Sequence, residues 1–129
     1  MGDMLKDTFY RVCRVTESNG QGARLGITLN PDHPVFQGHF PGNPVTPGVC
    51  LIQMLKEIVS DHLQQTVLLT EARQIKFLNI LVPDRAVELD LEMTLEPSGS
   101  TGVTVKAEIT HAKTTYFKFS GRFSLLSSQ

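Results

Sequence analysis

From Val87 to Leu125 the chain alternates apolar and polar residues with a period of two, and this restricts its fold more than any other feature. Val87, Leu89, Leu91, Met93 and Leu95 share one strand face, with Glu88, Asp90, Glu92 and Thr94 on the other. Pro97-Ser98-Gly99-Ser100 supplies a turn. Val103, Val105, Ala107 and Ile109 repeat the pattern, Ala112-Lys113 turns again, and Phe117, Phe119, Gly121, Phe123 and Leu125 complete a third strand. Strands with one apolar face must bury it against something else.

The first half offers one cover. Residues 8–17 and 22–29 read as a hairpin turning at Asn19-Gly20-Gln21-Gly22. Residues 31–47 hold five of the seven prolines, too many for a helix interior or a central strand. A helix is expected from Gly48 to about Leu63, with Pro47 at its entrance, where a missing N–H costs little. Residues 66–82 read as a long strand or a pair of strands ending at Pro83-Asp84. The order is ββ, one helix, then about four strands, which predicts an α+β architecture with an antiparallel sheet curled around that helix.

Within the helix, Leu51, Ile52, Met54, Leu55, Ile58, Val59 and Leu63 form a wide apolar arc. Gln53, Lys56, Glu57, Ser60, Asp61 and Gln64 form a narrow polar stripe, expected to face water. The 129 residues suit one domain, 1–129, able to bury a sizeable core. A net charge of −1 and the lack of a clustered basic patch give no reason to expect nucleic acid. Cys13 and Cys50 sit in apolar patterns and read as small buried hydrophobes. There is no signal-like or transmembrane-length apolar run, and position 6, Lys6, does not suit myristoylation at Gly2. The expectation is a soluble cytoplasmic domain without membrane insertion.

The segment Phe36-Gln37-Gly38-His39-Phe40-Pro41-Gly42-Asn43-Pro44-Val45-Thr46-Pro47-Gly48-Val49 is not required by packing. It is a loop stiffened by proline, carrying one histidine into a helix start. This segment resembles the active-site loop of the 3-hydroxyacyl-[acyl carrier protein] dehydratases. That resemblance is specific over about residues 31–49 and implies the hotdog fold, a curved antiparallel sheet wrapped around one central helix. A fainter echo occurs at Lys76-Phe77-Leu78-Asn79-Ile80-Leu81-Val82-Pro83-Asp84, where the family usually has a proline in place of Ile80 and a glycine between Pro83 and Asp84.

The resemblance implies that His39 is the catalytic base, steadied by the Val45 carbonyl, and that the Gly48 amide holds the thioester carbonyl. It places the second catalytic group, a carboxylic acid in the family, on the partner subunit's helix at the position of Gln53. One branch of the family reads Glu-x-x-x-Gln here; this chain reads Gln53-x-x-x-Glu57. An imidazole titrates near working pH, and the helix start at Gly48-Val49, behind Pro47, offers free N–H groups and the positive end of a macrodipole. Gln53 can hydrogen-bond but cannot transfer a proton as an acid does.

Three outcomes stay open. Glu57 serves instead, from one turn further along, roughly 6 Å; His39 does both jobs while Gln53 orients the hydroxyl or a water; or the domain binds acyl chains without dehydrating them. Another thioester chemistry, hydrolysis included, is the remaining alternative. The implied ligand is a 3-hydroxyacyl or enoyl chain on the phosphopantetheine arm of acyl carrier protein, or coenzyme A, with no bound cofactor. The expected assembly is a homodimer or larger, with a hetero-oligomer containing a second hotdog protein as the runner-up. Arg73, Lys76 and Arg85 are candidates for receiving the acidic carrier. Phe36 and Phe40 pack the loop or line an acyl tunnel. His33, His62 and His111 are read as loop, helix-end and turn residues, and the four histidines lack metal-ligand spacing.

Overall fold

The computed structural model describes residues 4–37 and 44–126. Six strands form one antiparallel sheet: β1 (Tyr10–Asn19), β2 (Gly22–Leu29), β3 (Val67–Phe77), β4 (Leu89–Ser98), β5 (Gly102–His111) and β6 (Thr114–Leu125). One helix, α1 (Gly48–Leu63), lies between β2 and β3 in sequence. The order across the sheet is β1-β2-β4-β5-β6-β3, so the chain crosses from β2 through α1 to the far edge before returning. This is the hotdog architecture.

The alternation in the second half does what its period dictates. Along β4, Leu89, Leu91, Met93 and Leu95 are buried, while Asp90, Glu92, Thr94 and Glu96 are exposed. Val103, Val105, Ala107 and Ile109 of β5 and Phe117, Phe119 and Phe123 of β6 continue the same core face. The helix supplies Cys50, Leu51, Met54, Leu55, Ile58 and Val59 to that core. Wrapping the sheet around α1 lets a single 16-residue helix cover the apolar face.

Four expectations need correction. Residues 66–82 do not remain extended to the end: β3 stops at Phe77, and 78–82 leave the ladder toward buried Pro83. The following strand starts at Leu89, two residues after Val87, because Ala86 N–H and Val87 N–H close a turn on Asp84. Cys50 is buried but Cys13 is exposed. Tyr10 and Val12 turn toward the core, so alternation turns Cys13 outward beside exposed Arg11, and the register shift between Val12 and Arg14 leaves it without a paired residue on β2.

The polar stripe of α1 also does not face water throughout. The segment Leu5–Tyr10 lies across it, Lys6 Nζ reaching Asp61 at 3.1 Å, and Glu57 is only 5% exposed. The exposure of Asp61 fits the expectation from sequence; that of Glu57 does not.

Candidate active site

Pro44–Pro47 leads the chain into α1 outside any helix or strand, and Pro47 is extended at φ −65° and ψ 139°. The Thr46 N–H donates to the Leu81 carbonyl at 2.9 Å, tying the loop to the stretch that follows β3. Thr46 is buried, and its hydroxyl has no partner among the described residues. The Cys50 N–H bonds the Pro47 carbonyl at 3.1 Å, and no side chain caps the helix. The Gly48 and Val49 amides therefore keep their donors free among the described residues.

Around this uncapped end lies a cleft of about 400 Å³ lined by Val45, Thr46, Gly48, Leu51, Phe77, Leu78, Asn79, Ile80, Leu81 and Tyr116. Its size suits a small-molecule site, and its walls are mainly apolar with a few polar groups. Phe77 stacks on Phe117 at 5.5 Å between ring centroids and leans over Gly48. A Cβ at position 48 would collide with the Phe77 ring, so glycine is what allows this close approach. Val49, by contrast, is 71% exposed. Leu78, Ile80 and Val82 are exposed as well, extending an apolar surface beyond the cleft along the β3 side.

A larger groove of about 570 Å³ runs over the solvent face of the sheet, past Arg73, Glu92, Lys106, Glu108 and Lys118. It mixes both signs of charge and includes none of the loop–helix residues. We therefore locate the candidate site at the smaller cleft, where free backbone donors meet an apolar channel.

His39 and Phe40 lie outside the described residues. The structure brings Gln53 and Glu57 together: Gln53 Nε2 donates to Glu57 Oε2 at 2.8 Å. Glu57 is also the anchor of the N-terminal segment. Its carboxylate accepts the N–H of Leu5 at 2.8 Å, the N–H of Lys6 at 3.0 Å and the hydroxyl of Tyr10 at 3.1 Å. Two successive backbone amides facing one carboxylate make an anion-binding concavity. Burial, then the Glu57 charge, pushes the Tyr10 phenol pKa upward.

The other candidates divide clearly. His33 Nδ1 accepts the Val35 N–H at 3.0 Å and its ring meets Phe9 edge-on. His62 Nε2 bonds the Asn19 carbonyl at 2.8 Å, and His111 Nδ1 the Glu88 carbonyl at 3.2 Å. Each of these three rings is held by backbone. Phe36 is buried and stacks on Phe9, a packing role. Arg73 pairs with Glu71 at 3.5 Å, and Arg85 with Asp32 at 2.7 Å. Among the residues to which the sequence assigns no role, Tyr10 and Phe77 matter most. Phe77 carried a signal, since it sits in the Lys76–Asp84 echo; Tyr10 carried none beyond its aromatic character.

Comparison with known proteins gives this arrangement a context. The sequence pattern of the ApeI-like family, described as ApeI dehydratase, matches residues 15–122. A 3-hydroxyacyl-[acyl-carrier-protein] dehydratase FabZ of Levilactobacillus brevis is 34% identical over 90 residues, covering 64% of this chain and 60% of the relative. The FabZ of Caulobacter vibrioides is 32% identical over 120 residues, covering 88% of this chain and 67% of the relative. The chain thus spans about three fifths of the length of the first of these. Among solved structures, the dehydratase heterocomplex ApeI:P from Xenorhabdus doucetiae superposes with a TM-score of 0.64 at 19% identity, over 91% of this chain and 97% of that one. That likeness bears on the fold. The fold, the loop–helix site and the matched sequence pattern agree: the chain belongs to the ApeI-like family of hotdog dehydratases.

Proposed function

We propose that this protein dehydrates (3R)-hydroxyacyl thioesters, carried on the phosphopantetheine arm of acyl carrier protein, to trans-2-enoyl thioesters. The observation that carries this reading is the apolar cleft opening on the start of α1, where the Gly48 amide has no partner among the described residues and can hold a thioester carbonyl. Membership of a dehydratase family supports it. Two of the relatives bear the name of that reaction.

In the proposed mechanism His39, as general base, removes a proton from C2 of the substrate. The electrons of that C–H bond form the C2=C3 double bond while the C3–O bond breaks. The departing oxygen takes its bonding pair and recovers the proton from the imidazolium, leaving as water and restoring neutral His39. The Gly48 amide stabilises charge on the thioester oxygen, with Val49 beside it at the dipole's positive end. Gln53, at the position of the family's acid, orients the C3 hydroxyl by hydrogen bonding. Val45 and Pro47 keep the loop in place. The protein acts in the cytoplasm as a homodimer through which His39 of one subunit faces α1 of the other. No bound cofactor takes part.

A second reading is a hetero-oligomer in which this chain complements another hotdog subunit. The Xenorhabdus doucetiae neighbour is a dehydratase heterocomplex, and Gln53 departs from the family's acid. Turnover of a 3-hydroxyacyl-carrier thioester by the pure protein separates the two. Turnover that is abolished by His39→Ala supports the enzyme reading. Activity only on mixing with a second hotdog protein overturns it in favour of the complementing subunit.

A further inference from the structure

We propose that Glu57 is a positioning residue that fixes the side-chain amide of Gln53 so that its carbonyl oxygen is presented as a hydrogen-bond acceptor to the substrate hydroxyl. The inference rests on the dehydration reading for the ligand it names, and on geometry for the orientation. A carboxylate offers acceptors only, so the Gln53 atom 2.8 Å from Glu57 Oε2 is the amide nitrogen. The amide is planar, and its oxygen therefore sits on the other branch, turned from Glu57. Were Glu57 a neutral amide, either orientation of Gln53 could be satisfied. The acidic residue removes that freedom.

Glu57 is itself locked. Leu5 N–H, Lys6 N–H and Tyr10 hydroxyl all donate to it, and it is 5% exposed. Its position follows from the N-terminal segment, and it passes that constraint one helical turn along to Gln53. A hydrogen bond to an ionised acceptor also polarises the amide and strengthens its carbonyl as an acceptor. The Glu-x-x-x-Gln order of one branch of the family would place the acid where Gln53 stands. In the reversed order the acid takes no part in proton transfer and serves as the fixed support.

This arrangement makes Gln53→Glu a poor simple repair. It would set a second carboxylate against Glu57 at hydrogen-bond distance, and such a pair retains one proton with a raised pKa. Tyr10, Lys6 and Asp7 from the N-terminal segment and Asp61 on the same helix are the titratable groups around the pair.

The test uses the full chain with E57Q, Q53E and the double exchange Q53E/E57Q. Side-chain amide NMR, carboxyl titration, thermal midpoints and turnover of a 3-hydroxyacyl-carrier thioester are measured together. The Gln53 amide signal of the parent should be shifted downfield and protected from exchange, and E57Q should remove both signs. E57Q should lower kcat about tenfold with KM changed less than about twofold. Q53E should bind one extra proton near neutral pH, and the double exchange should remove that titration. An unshifted amide signal, or E57Q lowering the midpoint while kcat stands, overturns the proposal. A parent chain with the amide signature but no turnover overturns the dehydration reading and leaves the orientation of Gln53 standing.

Discussion

Tyr10 brings a phenol against the Glu57 carboxylate with only 1% of its surface exposed. A hydrogen bond to a charged group is worth about 1.5–3 kcal/mol, so Tyr10→Phe should lower stability by that amount at pH 7, measured by urea unfolding. The same contact sets an alkaline limit. The folded phenol holds its proton beyond the ordinary value of 10.0, through burial first and the Glu57 charge second. The native state then binds more protons than the unfolded chain above about pH 10. Stability is complete below that pH and falls above it, by up to about 1.4 kcal/mol per pH unit. Tyr10→Phe should flatten this alkaline limb. At Gly48, substitution by Ala adds a methyl group that the Phe77 ring must vacate. Gly48 is the first helical residue, where the interior propensity gain of Ala does not apply in full, so loss of the Phe77–Phe117 stack should lower the midpoint while turnover falls at least tenfold. Neither prediction was available from the sequence. The Glu57 anchor is built largely from backbone N–H groups, which every residue except proline supplies, so it leaves no side-chain signature.

At the scale of elements, the strands and the helix were legible because their periods are direct consequences of burial on one face. The helix bounds Gly48–Leu63 agree with the expected range, since Pro47 cannot continue a helix backward. Boundaries set by hydrogen bonds rather than burial were less visible, as the early end of β3 and the bulge at Cys13 demonstrate. The β5–β6 turn carries its own test. Ala112 sits at φ 54°, a left-handed conformation that costs an L-residue about 1 kcal/mol. Ala112→Gly should relieve part of this and raise stability by about 0.5 kcal/mol, seen as a higher midpoint in denaturant. The polar stripe of α1 departs from its expected exposure for a related reason. Period identifies which residues share a face, whereas a distant segment such as Leu5–Tyr10 decides whether that face meets water.

Across the whole molecule the sheet has two edges, β1 and β3, and they differ in their surroundings. β1 carries Arg11, Arg14 and Glu17 and two register shifts, features that discourage pairing. β3 also shifts register twice, but it leads into an apolar margin of Phe77, Leu78, Ile80 and Val82 beside the cleft. The proposed subunit contact belongs on that side, which would bring the second subunit next to the α1 start. Sedimentation should give about twice the 14.3 kDa chain mass, and Ile80→Lys should shift it toward the single chain with loss of turnover. The overall architecture could be read early because one helix and a run of amphipathic strands allow few arrangements. An unpaired outer strand reads backbone, and backbone is shared by every chain of this shape. A second chain of this shape could therefore compete for the same margin only where its own side chains match Phe77, Leu78, Ile80 and Val82, so the choice between like and unlike pairs would be written in those few residues.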